Sequence, residues 1–265
     1  MTSVFFLFFL HLALGLLAML PFVPERAGTK FFKFCSAAAA FLMAAGGWML
    51  YRRFGLHGAP AAPGGERYTP MLIAAAAALL LTVLYNRALH FDARRLRGPL
   101  LAGSLVAGLA AVLLGTPTQP RVLAVVTDLT SILLLGAAAS AMILGHFYLV
   151  VLDLPIQALR RLTVLLVIGL VLRAAVVAWA LAGTPEGLQD ARMVAAGLWS
   201  PDGVFVWMRI LFGLAGPLSL IWFIWKTVEI RSTQSATGIL YVQLFLVLSG
   251  ELLAKYLRVA AGLPL

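Results

Sequence analysis

The sequence is poor in charged residues and in cysteine. Only 11% of its 265 residues are charged and 62% are hydrophobic, whereas about a quarter of the residues of a soluble domain are charged. An ordinary soluble domain is therefore excluded. Cys35 is the single cysteine, so the chain can form no internal disulfide, bind no cysteine-ligated iron–sulfur cluster and attach no c-type haem covalently.

Strand-type alternation of polar and apolar residues is also missing, which argues against a membrane barrel. The sequence instead has apolar runs of about twenty residues, the length that a helix needs to cross a hydrocarbon layer of roughly 30 Å. Eight runs fit, over residues 3–22, 31–51, 70–90, 98–115, 122–151, 160–182, 204–226 and 236–260. No positive charge precedes the first run, so we expect a span there rather than a signal peptide.

These runs predict an all-α integral membrane protein with eight transmembrane helices. We expect a single membrane domain built from two four-helix bundles, over residues 1–115 and 122–265.

The net charge of +10 indicates membrane orientation rather than nucleic-acid binding, because the basic residues lie in short loops beside the spans. The loops after spans 1, 3, 5 and 7 contain Arg26, Lys30 and Lys33; Arg87, Arg94, Arg95 and Arg97; Arg160 and Arg161; and Lys226 and Arg231. The loops on the other side of the membrane contain fewer basic residues. We therefore predict a multi-pass protein of the bacterial inner (cytoplasmic) membrane with both termini outside, in contact with lipid and not with nucleic acid.

The last span contains an acid and a base, Glu251 and Lys255, four residues apart on one helix face. A charge near the bilayer centre costs about 2.5–3.5 kcal/mol, so such residues normally face a partner or a pathway inside the protein. One interpretation is an ion pair that only fixes helix packing. The other is a site that handles protons or binds a quinol.

Counting turns from the span ends places five charged residues in the outer half of the membrane. They are Asp128, Arg173, Arg209, Glu251 and Lys255. Two acids and three bases in one layer indicate a site. Quinol oxidation needs a proton acceptor and a hydrogen-bond donor to the quinone oxygen. The candidate acceptors are Glu251, Asp128 and His11, and the candidate quinone contacts also include Arg209, Lys255, Tyr256 and Arg173.

A b-type haem would need two histidines at matched depth on facing helices. His11 and His146 lie on spans that run in the same direction, but their depths differ by roughly 20 Å at about 1.5 Å per residue. We therefore expect neither haem nor an iron–sulfur cluster in this chain, so any redox centre would belong to a partner.

Three local patterns make further predictions. Gly103, Ala107, Ala111 and Gly115 share one face of span 4, and such small residues allow a neighbouring helix to approach closely. The segment DLPIQALRRL after span 5 is typical of a short interfacial helix. Pro217 in span 7 is expected to kink its helix near a functional cavity.

From Ser131 onward the order of features resembles the membrane-anchor subunits of the dimethyl sulfoxide reductase and polysulfide reductase (NrfD-like) family. The matching stretches are SILLLGAAASAMILGHFYL, FVWMRILFGLAG and LFLVLSGELLAKYL, which lie in the C-terminal half. The resemblance implies an eight-helix subunit without its own haem that exchanges electrons between the quinone pool and an iron–sulfur subunit. It also implies that Arg209 and Glu251 lie in or beside the quinol region.

The function expected from the sequence is thus a quinone-interacting membrane subunit of a multi-subunit respiratory or other electron-transfer complex. Its ligand would be an exchangeable quinone such as menaquinone, and its partner an iron–sulfur or cytochrome subunit. Two alternatives stay open: a small-solute or ion transporter that uses the same charged residues, and a structural transmembrane subunit with no site.

Overall fold

The computed structural model describes residues 2–55, 67–116, 121–150, 154, 156–182 and 203–260. Within these ranges all regular elements are helices, and eight of them are long and apolar enough to cross a membrane. They are α1 (Thr2–Met19), α2 (Thr29–Phe54), α3 (Tyr68–His90), α4 (Arg94–Gly115), α5 (Arg121–Val150), α6 (Gln157–Ala182), α7 (Gly203–Glu229) and α8 (Thr233–Ala260). The predicted all-α membrane protein with eight spans is confirmed.

The chain divides into two compact units, Met1–Asp128 and Leu129–Leu265. The division therefore falls inside α5. In the first unit, α1 and α3 each pack against both α2 and α4. Short hydrogen bonds between side chains join these helices, since Thr82 on α3 and Ser104 on α4 lie 2.7 Å apart, oxygen to oxygen. Polar side chains of this kind hold membrane helices together where water is absent.

The small-residue face predicted for α4 does lie against another helix. A Cβ atom at Gly103 would come within 3.3 Å of Leu81, and one at Gly115 within 2.9 Å of the Met71 sulfur. Both contacts are with α3. Glycine therefore allows α3 and α4 to approach closely, as the spacing predicts.

In the second unit, α8 packs along the whole of α7, and α6 packs against the C-terminal part of α7. Close contacts at glycine residues join α5 to α6 and to α8. Gly169 of α6 lies against the backbone of Leu134 in α5, and Gly145 of α5 lies against Thr237 in α8. Each helix of this unit thus has at least two neighbours within it.

The predicted interfacial helix at DLPIQALRRL is wrong for the part that the structure describes. Gln157 begins α6, which continues without a break to Ala182. The reason lies in the spacing of its leucines, because Leu159, Leu162 and Leu166 are all fully buried. They form one inward stripe at intervals of three and four residues, so the first turns belong to the packed span.

The charged residues of the second unit continue such inward stripes. On α6 the leucine stripe leads to Arg173, and on α8 the buried positions Gln243 and Val247 lead to Glu251. On α7, Val206 leads to Arg209 in the same way. Because the apolar members of each stripe must face the protein core, the charged members are turned inward with them.

Candidate functional site

Glu251 lies at the centre of a buried charged cluster in the second unit. Its side chain is fully buried, and both of its carboxylate oxygens accept hydrogen bonds. Arg173 of α6 donates from Nε to Oε1 at 2.8 Å. Ser131 of α5 donates from Oγ to Oε2 at 2.5 Å. One carboxylate therefore links three helices.

Lys255 is the second cation at this carboxylate. Its Nζ lies 3.4 Å from Oε2 of Glu251 and donates to Oγ of Ser131 at 2.7 Å. The ion pair predicted from the four-residue spacing on α8 is confirmed. Ser131 thus stands between the ammonium group and the carboxylate, and it hydrogen-bonds to both.

Arg209 is the third cation, and its bonding differs from that of the other two. Its Nη2 lies 3.5 Å from Oε1 of Glu251, which is within ion-pair distance. Among the residues that the structure describes, none is a hydrogen-bond partner of its three guanidinium nitrogens, although the side chain is only 1% exposed. Buried donors are nearly always paired in proteins, so this group is the least satisfied member of the cluster.

The backbone of α7 is shaped to accommodate Arg209. Residues Leu211–Ala215 form a π-helical turn between two α-helical segments, and Gly213 lies within it. A Cβ atom at Gly213 would overlap Nη1 of Arg209. Pro217 lies two residues after this turn and has no N–H to donate to the preceding turn. A π-helical turn often marks functional sites, and the kink expected at Pro217 stays a prediction.

Glycine also brings α7 and α8 close together beside the cluster. A Cβ atom at Gly250 would overlap the backbone of Gly213, so the two helices touch through their main chains. Glu251 follows Gly250 directly. The contact therefore places the Glu251 carboxylate within reach of the Arg209 side chain.

The charges in this cluster are unequal. Among the described residues of the second unit, Glu251 is the only buried acid, since Glu229 is exposed. Three cations surround it: Arg173, Arg209 and Lys255. Burying a charge requires compensating partners, and the cluster is rich in donors and poor in acceptors. Such an arrangement can bind a group that offers electron pairs, such as a carbonyl oxygen or an anion.

Two predicted site residues belong to the first unit. His11 on α1 and Asp128 on α5 are both buried, with His11 Nε2 3.9 Å from Asp128 Oδ1. Thr116 donates a hydrogen bond from Oγ1 to Oδ2 of Asp128 at 2.9 Å. They form an acid–base pair that the sequence does not predict, since the two residues are 117 positions apart.

The remaining candidates have simpler surroundings. The ring of Tyr256 packs against Phe205, with 5.4 Å between centroids, and it lies beside a cluster that includes Val177 and Leu257. His146 Nδ1 lies 3.3 Å from the Tyr241 hydroxyl. The absence of haem stays a prediction.

Sequence reasoning missed Ser131 and Gly213 as parts of the cluster. The available signal for Ser131 was its polarity beside Thr127 and Thr130 within an otherwise apolar span. Gly213 gave no distinctive signal, because its role depends on where the Arg209 side chain lies. Gln243 shares the inward face of α8 with Glu251, and its buried side-chain oxygen and nitrogen have no hydrogen-bond partner among the residues described.

Comparison of the chain with protein-family models, curated proteins and solved structures found no match. The fold alone defines the class, which is a multi-pass α-helical membrane protein. Its most distinctive feature is the buried cluster around Glu251.

Proposed function

We propose that this chain is a quinone-interacting membrane subunit of a multi-subunit electron-transfer complex. The observation that carries the proposal is the juxtaposition of a buried carboxylate, Glu251, with a buried guanidinium group, Arg209, whose donors find no hydrogen-bond acceptor among the described residues. A quinone site needs both kinds of group in apolar surroundings. The resemblance of the C-terminal half to anchor subunits of the dimethyl sulfoxide reductase type favours the same function.

The chemistry assigns each group a role. Oxidation of one quinol releases two protons and two electrons and leaves a quinone. Glu251 is the candidate acceptor for one proton, and a general base must lie within hydrogen-bond reach of the group it deprotonates. Arg209 is the candidate donor to the quinone oxygen, with Arg173 and Lys255 as further donors. Asp128, paired with His11, is the second candidate acceptor.

The electrons need an acceptor outside this chain, because Cys35 alone cannot ligate an iron–sulfur cluster. We therefore assign them to an iron–sulfur or cytochrome subunit. The ligand in this proposal is a menaquinone or another quinone with an apolar tail, which exchanges with the pool in a bacterial inner membrane.

A purification tests the proposal. The tagged chain, isolated from its native membranes in mild detergent, should retain a partner that contains iron or haem, and added quinol should reduce that centre. The same preparation without quinol is the control for reduction by other components. A chain that carries no redox-active partner under several mild detergents would contradict the proposal.

A transporter of small anions is the second candidate, and the excess of buried cations around Glu251 favours it. The two candidates differ in what the isolated chain does. A transporter should move an anion across vesicles that contain this chain alone, and Arg209→Gln should slow that movement. A quinone-interacting subunit should show no such transport.

A further inference from the structure

We infer that the cluster binds a ligand with a negatively charged oxygen, and that this oxygen contacts Arg209. The inference rests on the proposed function and adds the charge state of the bound species. Its starting point is the Arg209 side chain, which is 1% exposed and has no hydrogen-bond partner at Nε, Nη1 or Nη2 within the described part of the chain. Unmade hydrogen bonds of a buried cation are strongly unfavourable, so a group that accepts them would be bound tightly.

Glu251 does not accept the hydrogen bonds that Arg209 can donate. Its Oε1 accepts from Arg173 at 2.8 Å, and its Oε2 accepts from Ser131 at 2.5 Å. Arg209 approaches Oε1 only to 3.5 Å and forms no hydrogen bond there. The carboxylate is therefore already committed to other donors, and the charge of Arg209 is balanced only at longer range.

A second guanidinium group has spare capacity at the same place. Nη1 of Arg173 is buried and has no hydrogen-bond partner in the described ranges, and both arginines lie within 3.5 Å of Oε1 of Glu251. Two neighbouring guanidinium groups repel each other unless an anion is shared between them. Glu251 supplies one negative charge, and an anionic ligand oxygen would supply the second.

The position of Arg209 depends on a specific backbone feature. Only a glycine at position 213 leaves room for Nη1, since a Cβ atom there would overlap it. The π-helical turn Leu211–Ala215 carries this glycine. Such a turn departs from regular helical hydrogen bonding, and it is found in short pieces at functional sites. The guanidinium group thus lies directly against the backbone at Gly213, and a larger residue there would displace it.

The chemistry of a guanidinium group defines the ligand. Its planar set of donors matches two electron pairs on an ionised oxygen or a carboxylate. In the proposed reaction that oxygen is the ionised oxygen of a quinone species that has lost a proton. A free carboxylate offers the same contact, so the test must separate these two sources.

The experiment uses three probes with the purified chain, or its complex, in detergent. The first is an alkylated 2-hydroxy-1,4-naphthoquinone, which is ionised at neutral pH. The second is its O-methyl ether, which is nearly the same size and stays neutral. The third is benzoate, a carboxylate without a quinone ring. Affinity is measured by titration against the intact protein, the Arg209→Gln variant and the Lys226→Gln control, whose altered lysine is exposed on the same helix.

The intact protein and the Lys226→Gln control should bind the ionised naphthoquinone at least about tenfold more tightly than the ether, equivalent to about 1.4 kcal/mol. Arg209→Gln should remove most of this preference. Equal affinity for the two naphthoquinones in the intact protein would overturn the inference and leave the proposed function standing.

The remaining outcomes distinguish the anion site at Arg209 from the proposed quinone function. Arg209-dependent binding of benzoate with no binding of either naphthoquinone would support the anion site and contradict the quinone function. No binding of any probe would overturn both. The comparison of ligands in the intact protein decides the inference even if Arg209→Gln fails to fold.

Discussion

Glu251 is the residue at which charged side chains of the second unit converge. Its oxygens accept hydrogen bonds from Arg173, Ser131 and Lys255. Removing one partner of a buried ion pair costs about 3–5 kcal/mol because the other charge is left uncompensated. Replacing Glu251 alone should therefore destabilise the structure, so a loss of activity would not by itself show a chemical role. A test of its role must preserve the charge balance.

A charge-matched pair of variants meets this condition. Glu251→Gln alone should lower the yield of folded protein, because the surrounding cations lose the only nearby acid in the described part of the chain. Combining it with Arg173→Gln removes the acid together with its closest cation, so the yield should recover. Quinol turnover per assembled complex should nevertheless stay at least about tenfold below the parent, equivalent to about 1.4 kcal/mol.

Size-exclusion chromatography in detergent measures the yield, and quinol-dependent electron transfer measures the turnover. If the double variant regains full turnover, the role of Glu251 is packing alone. An undiminished yield of the single variant would show that the account of charge balance is wrong.

For individual residues, the sequence predicted which side chains face inward but not which side chains they contact. The spacing of Glu251 and Lys255 on one helix predicts their pairing, and the pairing is present. The closer partner, Arg173, lies 78 positions away in the sequence. Contacts between helices depend on rotation and depth, which a helical repeat does not specify. For the same reason, the sequence did not predict the hydrogen bonds of Ser131.

Helices α7 and α8 meet through glycine, and this contact controls the geometry of the cluster. A Cβ atom at Gly250 would overlap the backbone of Gly213, which cannot move aside as a flexible side chain can. Gly250→Ala should therefore separate the helices and destabilise the protein by about 1–3 kcal/mol, the usual cost of overpacking. Gly238→Ala on the same helix is the matched control, because a Cβ atom there meets nothing within 4 Å.

Thermal unfolding in detergent compares the two variants. Gly250→Ala should lower Tm, whereas Gly238→Ala should leave it unchanged or raise it, because alanine is favoured over glycine in helices by about 1 kcal/mol. Equal effects of the two substitutions would argue against the close contact of α7 with α8.

Apolar run length predicted the number of helices well, since each run of about twenty residues leaves few alternatives to a span. Local departures from regular helix were harder to predict. Pro217 indicated an irregular turn in α7, but proline alone does not specify a π-helical turn, which also depends on packing against α8. The segment around Leu159 was expected to form a separate interfacial helix. It forms part of a span instead, because its leucine stripe is packed against the core.

For the whole molecule, the distribution of lysine and arginine predicts the orientation in the membrane. Single cysteines at Arg95, in the basic segment at the start of α4, and at Arg53, near the end of α2, should lie on opposite sides. A membrane-impermeant thiol reagent applied to intact cells should label the cysteine at position 53 and not the one at position 95. The background should be low, because the natural Cys35 is buried.

Permeabilised cells provide the control, since both positions should then react. Labelling of position 95 in intact cells would place the basic loops outside and would reverse the predicted orientation of both termini.

The central claim is that the cluster around Glu251 binds a quinone rather than only joining helices. Arg209 separates these two roles most clearly, because its guanidinium group forms no hydrogen bond with any residue that the structure describes. If the cluster only packs, replacing Arg209 should cost little stability, because Glu251 keeps its two closer cations, Arg173 and Lys255. If the cluster binds a quinone, the same replacement removes the donor to the quinone oxygen.

The decisive measurement is quinol-dependent electron transfer per assembled complex in Arg209→Gln, with Lys226→Gln on the same helix as the control. The exposed pair of Lys226 and Glu229 contributes little to stability, so the control should match the parent. Arg209→Gln should assemble normally and turn over quinol at least about tenfold more slowly, equivalent to about 1.4 kcal/mol in the barrier. Normal assembly with unchanged turnover would contradict the claim.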